Sequence, residues 1–252
     1  MITQRVREYL DILFEKKGNA EEIKYSDARK FFNHRVSQYE NLVRSISPYI
    51  KKDGAFIDVG ACIGYFSITL MKKVDFKGTA YLFEPIPNLA RLCQETFKNT
   101  DFVVKIFNFG LGNNNFENNI LIDLDGNIGW NTFEKEKKTK NMKELKVQIK
   151  TYDSLDLNIQ PSVIKIDVEG NEYKVLEGMK ESFNKWRTLP VILCEIGWGK
   201  GHPNWKKELD AFDYLKKKGY ETYDVFGKSI EITDLNQTTD VIFFPKNKEK
   251  SK

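Results

Sequence analysis

The chain has 252 residues, enough for one large domain or for one domain with appendages. Forty Lys and Arg against 36 Asp and Glu leave a net charge of +4, and 40% of the residues are hydrophobic. These values exclude an intrinsically disordered chain and a dedicated basic arm for nucleic acid. No apolar stretch approaches the roughly 20 residues of a membrane-spanning helix. Met1 to Glu22 interleaves Arg5, Arg7, Glu8, Asp11 and Glu15 with its apolar positions, so it lacks the continuous apolar core of a signal peptide. The expectation is a cytoplasmic protein with no membrane span and no nucleic-acid partner.

In chain order, residues 1–52 read as a helical extension. Val6, Leu10, Leu13 and Phe14 recur at spacings of three and four, as do Tyr39, Leu42, Val43 and Ile46. From Ala55 the pattern changes to short apolar runs at 55–59, 79–83, 103–107, 162–167 and 191–196. Helical stretches at 65–73, 88–99, 172–182 and 206–218 lie between or after them, the last stopped by Gly219. Strands that alternate with helices imply a parallel sheet covered on both faces. A polar insertion, 113–160, carries alternating segments at 120–123 and 145–150 and reads as an added β-hairpin. Two last strands, 220–226 and 241–245, flank a turn at Gly227, and 247–252 is a basic tail. Cys62, Cys93 and Cys194 are too widely spaced for a metal-binding pair or a disulfide framework, and Cys93 and Cys194 read as buried thiols.

Three strand ends carry candidate chemistry. Phe56-Ile57-Asp58-Val59-Gly60-Ala61-Cys62-Ile63-Gly64 is a strand that runs through a glycine turn into a helix, where backbone N–H groups face a ligand. It lacks the third glycine of a dinucleotide fingerprint, which weakens a nicotinamide or flavin reading. Glu84 ends the next strand, placed to accept hydrogen bonds from both hydroxyls of a ribose. Asp167 and Glu169, in Ile164-Lys165-Ile166-Asp167-Val168-Glu169-Gly170, emerge at the same edge, and Glu195 ends the following strand. Converging carboxylates repel one another, so a substrate, a cation or a shared proton should accompany them, unless Lys165 neutralises one. A divalent metal on Asp167, Glu169 and Glu195 would suit magnesium, since all the donors are oxygen.

Only two histidines are available as a general base, His34 and His202. His202 follows Glu195 in a glycine-rich loop that holds Trp198 and Trp205. Those rings, with Trp130, would suit stacking on a flat polyol, whereas Trp186 reads as helix packing. The catalytic candidates are Asp167, His202 and Glu195.

Taken in order, Phe56 to Gly64, Phe83-Glu84-Pro85, Thr151-Tyr152-Asp153-Ser154-Leu155, Ile164 to Gly170 and Val175-Leu176-Glu177-Gly178-Met179 resemble the motifs of the FkbM family of S-adenosylmethionine-dependent methyltransferases. The resemblance spans roughly Gly54 to Pro245. It implies an α/β, class I methyltransferase (Rossmann-like) fold, a doubly wound seven-stranded sheet with the last strand antiparallel. On the present chain this fold would occupy 53–246, with the helical extension before it and the hairpin insertion within it. The resemblance further implies methyl transfer to oxygen. It would put Asp58, Gly60, Ala61 and Gly64 at the amino-acid end of S-adenosylmethionine, Glu84 at its ribose, and Gly110 and Leu111 at its adenine. Cys62 stands where the family commonly has asparagine. A sugar or glycan hydroxyl leads among acceptors, ahead of a small secondary metabolite. A non-catalytic binding module would keep Gly60 and Glu84 but has no need of the three acids.

Overall fold

The computed structural model describes residues 18–33 and 35–246. The expectations for 1–17, for His34 and for the 247–252 tail fall outside the described residues. The elements are α1 (Tyr25–Asn33), α2 (Val36–Ile46), β1 (Ala55–Val59), α3 (Tyr65–Val74), β2 (Thr79–Phe83), α4 (Pro87–Phe97), β3 (Val103–Phe107), β4 (Gly110–Leu111), β5 (Phe116–Asp123), β6 (Met142–Lys150), β7 (Pro161–Ile166), α5 (Glu172–Glu177), α6 (Lys180–Lys185), β8 (Val191–Ile196), α7 (Trp205–Lys217), β9 (Tyr220–Asp224) and β10 (Thr239–Pro245). Among the described residues no helix is long and apolar enough to cross a membrane.

Seven strands form one sheet in the order β3-β2-β1-β7-β8-β10-β9. β10 is antiparallel to both its neighbours, while the other pairings are parallel. Every residue of β1 and β7 is buried, as expected of central parallel strands covered on both faces. One face packs Ile57, Phe83, Ile164 and Ile192 against α5, α6 and α7, and the other packs Phe56, Leu82, Val163 and Leu193 against α2 and α3. Each fully buried side chain of this size contributes about 1.5–3 kcal/mol. A third cluster joins Phe31 and Phe32 of α1, Leu89 and Leu92 of α4, and Ile120, Val147 and Ile149 of the insertion. It fixes the insertion beside the carboxyl edge of the main sheet.

The expected hairpin is present as antiparallel β5 and β6, and Gly110–Leu111 adds a short strand parallel to β6. The helix expected over 172–182 is broken at Gly178, where a Cβ would lie 1.9 Å from the carbonyl oxygen of Gly112. The second piece starts anew because Asp153 accepts hydrogen bonds from the N–H groups of Glu181 and Ser182, both at 2.9 Å. An acceptor carboxylate at a helix start supplies a partner for otherwise free donors.

The chain leaves β1 toward β2 and β3 and later returns to β7 on the other side of β1, so the topological switch point lies between β1 and β7. Open α/β sheets bind ligands in the crevice at this point. The two turns meet closely there: Asp167 N–H donates to Val59 O at 3.0 Å, and a Cβ on Gly60 would lie 1.8 Å from Asp167 O. Gly60 also has φ +81°, a region costly for other residues. We expect Gly60→Ala to destabilise the protein by at least about 2 kcal/mol, lowering Tm by roughly 4–8 °C. An unchanged thermal melt would contradict this packing.

Candidate active site

The switch-point crevice is a cleft whose walls come from α2, the turns after β1, β2, β7 and β8, the start of β10, and the insertion. Gly60, Ala61, Glu84, Gly110 and Leu111 all line it, as do Asp167, Glu169 and Glu195. Asp58 and Gly64 do not. Asp58 is wholly buried below the cleft floor, where its carboxylate accepts a 2.5 Å hydrogen bond from Ser67 Oγ. Gly64 turns toward α4, and a Cβ there would collide with Cys93 and Phe97. Both residues shape the turn from the side away from the cleft.

Glu84 is 4% exposed, and its carboxylate is fixed by two backbone donors, Cys62 N at 2.8 Å and Ile86 N at 2.9 Å, one on each oxygen. Each oxygen keeps one lone pair free, so the fork offers two acceptor sites in a fixed plane. Burial pushes the Glu84 pKa up to about 7, against the opposing pull of those two N–H groups. Asn108 holds the turn that carries Glu84 by donating to the carbonyls of Glu84 and Pro85, both at 3.0 Å. Cys62 adopts φ +51°, left-handed backbone in which asparagine is commoner than most residues. Its N–H contact to Glu84 survives the change of side chain. Beyond Glu84 the cleft is apolar, bounded by Ile86, Leu89, Leu111 and Ile120.

The floor is set by Lys165, which is 5% exposed. Its Nζ lies 3.0 Å from Asp167 Oδ2, 3.5 Å from Asp58 Oδ1, and 3.4 Å from the carbonyl oxygen of Gly60. Burial works to lower the pKa of this ammonium, but Asp167 and Asp58 outweigh it and hold the group charged. Carboxylate oxygens of Asp167, Glu169 and Glu195 lie within 4.8 Å of one another. The charge of Asp167, then burial, pushes the Glu195 pKa well up; burial, then Asp167, does so for Glu169. Asp240, at the start of β10, also lines the cleft, and burial followed by Asp167 raises its pKa to about 6.

His202 is not brought to the cleft. Its Nδ1 accepts from Asn204 N–H at 2.9 Å, which leaves Nε2 to donate to Gly170 O at 2.8 Å. Both nitrogens are thereby occupied, burial lowers the pKa, and the ring is neutral. Trp198 stacks on it at 5.3 Å. The two rings fill the space left by Gly170, where a Cβ would meet Trp198 at 2.4 Å and His202 at 3.0 Å. The expectation of a base at His202 is corrected accordingly: the ring supports the turn that carries Glu169. Trp198 and Trp205 are likewise packed away, Trp205 against the core, and neither they nor Trp130 line the cleft. Trp186 packs on Tyr152 and Phe183, as expected.

Sequence reasoning missed Asp240, Asn108, Asn131, Asn171 and Arg35 as site residues. Asp240 had a usable signal, since an acid at the start of an antiparallel last strand reaches the edge where parallel strands end. The asparagines and Arg35 carry no motif.

The methyltransferase FkbM domain profile matches residues 58–222. The chain belongs to the FkbM methyltransferase family. No curated protein sequence matches it. Methyltransferase FkbM from Methylobacillus flagellatus KT superposes with a TM-score of 0.51 at 17% identity, over 77% of this chain and 44% of that one, so the present chain spans less than half of that protein. A putative rRNA-methylase from Clostridium thermocellum also gives a TM-score of 0.51, at 9% identity over 81% of this chain and 93% of that one. At such identities the likeness is one of fold, the class I methyltransferase sheet, and the FkbM motifs map onto the strand ends that build the cleft.

Glu84 yields a pH signature. Its folded pKa of about 7 lies above its ordinary 4.5, so the folded state keeps a proton that the unfolded state releases between those values. Stability associated with this group is complete below pH 4.5 and is lost as pH rises to about 7. Glu172, at about 7, and Asp240, at about 6, act with the same sign. Urea unfolding of Glu84→Gln should therefore show a shallower loss of stability between about pH 5 and pH 7.5 than the wild type. Parallel losses would contradict the buried, protonatable Glu84.

Proposed function

We propose that this FkbM-family chain transfers a methyl group from S-adenosylmethionine to a hydroxyl oxygen of a sugar or glycan. The observation that carries this reading is the Glu84 fork at the switch point, whose two free lone pairs match the two hydroxyls of a ribose. Ala61 and Gly60 lie toward the amino-acid end of the donor, and the apolar slot at Ile86 and Leu111 suits a purine. The sulfonium end then lies over Lys165 and Asp167.

The reaction is an in-line displacement. The acceptor oxygen forms a bond to the methyl carbon as the carbon–sulfur bond breaks, its electron pair staying on sulfur as the cation becomes a neutral thioether. The hydroxyl proton passes to Asp167, held in place by Lys165 at 3.0 Å. Alignment of oxygen, carbon and sulfur can supply roughly 7–11 kcal/mol of the barrier. A positioned base adds typically ~10²–10⁴ in rate. Glu195 and Glu169, which burial and the charge of Asp167 lead to hold protons, complete an acidic wall beside the sulfonium.

The oxygen triad of Asp167, Glu169 and Glu195 also fits a hard divalent cation such as magnesium, because its donors converge. Such an ion would supply Lewis acidity that lowers the acceptor hydroxyl's pKa.

Calorimetric titration with S-adenosylmethionine, with NAD as control, is the direct test. We expect micromolar binding to the wild type, loss of at least tenfold in Glu84→Ala, and no change on chelation, since the ribose fork needs no metal. Ribose hydroxyls donate to the ionised carboxylate, so affinity should also rise, by roughly tenfold for each unit by which binding lowers the Glu84 pKa, as pH passes through about 7. Absence of binding to the folded wild type, or equal binding to Glu84→Ala, would overturn the assignment.

A further inference from the structure

The α2 side of the cleft carries polar side chains that the cofactor groove does not use. Arg35, just before α2, and Gln38 and Tyr39 within it line the cleft from one helical face, at spacings of three and four. The guanidinium of Arg35 stacks over the Phe31 ring, its central carbon 4.3 Å from the ring centroid. Phe31 is buried in the apolar cluster that holds the insertion, so the stack fixes the plane of the fork. The fork itself lies at the cleft: Nη1 is 3.7 Å from where a Cβ on Gly129, another lining residue, would stand. The glycine leaves that edge of the guanidinium uncovered. Tyr39 is turned the same way. Burial pushes the pKa of its hydroxyl up, so it stays a donor, and the groups that act on it next are Lys165, Asp167, Cys62 and Arg35, all of which line the cleft.

Pairing separates the two cations of the cleft wall. Lys165 spends its three N–H donors within the protein, on Asp167, Asp58 and the Gly60 carbonyl. Arg35 does not. Among the described residues no carboxylate lies within ion-pair distance of its guanidinium, and Glu169, an acid on which its charge acts, feels it less than it feels Lys165. A guanidinium held in place at a cleft wall with its charge uncompensated suits an anion, and its planar fork matches a carboxylate or a phosphate with two parallel hydrogen bonds. Position selects whose anion it is. Gly129 of the insertion and Glu169 of the turn after β7 belong to the acceptor wall, whereas the amino-acid end of the donor is assigned to Gly60 and Ala61, so the acceptor is the favoured source.

We propose that Arg35, flanked by Gln38 and Tyr39, forms an oxyanion subsite that selects a sugar acceptor carrying a carboxylate or a phosphate. Arg35 binds the anion through its fork, the Tyr39 hydroxyl donates a hydrogen bond to the same acceptor, and the Phe31 stack aligns the fork before the acceptor arrives. This names the acceptor class within the methyl-transfer reading of the same cleft and rests on that reading. Attraction between the anion and the donor sulfonium acts in the same direction, because opposite charges reinforce one another where water is partly excluded.

The test is saturation-transfer NMR on protein loaded with S-adenosylhomocysteine. Methyl glycosides of hexuronic acids and hexose phosphates are titrated beside the neutral methyl hexosides of the same sugars, and whichever charged form binds identifies the anion. We expect at least one anionic probe to bind at least tenfold more tightly than its neutral parent. Arg35→Met keeps an apolar stem on Phe31 and should remove that preference, weakening the anionic probe at least tenfold while leaving the neutral probe and S-adenosylhomocysteine within twofold. Arg35→Lys, which keeps the charge but not the fork, should weaken the anionic probe at least threefold and stands in for Arg35→Met if that variant does not melt like the wild type. Tyr39→Phe removes only the hydroxyl and should also cost at least threefold; unchanged binding would overturn that residue's part. An anionic probe bound no better than its neutral parent, no anionic probe bound, or a preference that survives replacement of Arg35 would each overturn the proposal while sparing the cofactor reading. If the Arg35 variant loses S-adenosylhomocysteine but keeps methylthioadenosine, which lacks the amino-acid carboxylate, the guanidinium belongs to the donor and the proposal is overturned as well. Failure of the wild type to bind S-adenosylhomocysteine would remove both readings.

Discussion

A single buried ammonium ties the two halves of the switch point together. Lys165 rises from β7 and meets Asp58 of β1, the Gly60 carbonyl in the turn that follows, and Asp167 at its own strand end. Removing one partner from such a buried set leaves an uncompensated charge, at a cost of about 3–5 kcal/mol. The arrangement also sets the electrostatics of the cleft. It neutralises Asp167 in part, yet the charge that remains, with burial, makes Glu195 hold its proton more tightly than an ordinary carboxyl, and burial followed by that charge does the same for Glu169 and Asp240. A cationic sulfonium fits a site of this sign.

The strand ends of the fold were legible in the sequence because the central parallel strands are short apolar runs, those at β1, β2 and β7 closed by Gly60, Glu84 and Asp167. The strands at 55–59, 79–83, 103–107 and 191–196 stand where the pattern put them. The placement of Glu84 and of the Asp167–Glu169 pair at the cleft was also legible, since each lies just past a strand end. The break at Gly178 was not, because the close approach of the Gly112 carbonyl and the Asp153 cap that starts the second helix both come from residues remote in sequence. His202 misled for a related reason. A lone histidine in a glycine-rich loop after Glu195 has the composition of a catalytic group, but Gly170 leaves a hole into which the ring folds. Nothing in the spacing of 170 and 202 announces that contact.

The proposed acceptor side of the cleft is assembled from pieces far apart in the chain. The residue before α2 supplies Arg35, the insertion supplies Asn131, and the turn after β7 supplies Asp167, Glu169 and Asn171. The insertion is held by its own apolar cluster with α1 and α4 and by the hydroxyl of Thr132 on the Glu169 carbonyl. The donor side, by contrast, is built from consecutive strand ends of the common sheet. This division lets the acceptor wall vary while the cofactor groove keeps its geometry.

The most direct test is a crystal structure of the protein with S-adenosylhomocysteine. The account predicts both ribose hydroxyls on the Glu84 carboxylate, the adenine between Ile86 and Leu111, and the sulfur facing Asp167 across the Lys165 floor. A product lying elsewhere, or a ribose without contact to Glu84, would contradict it.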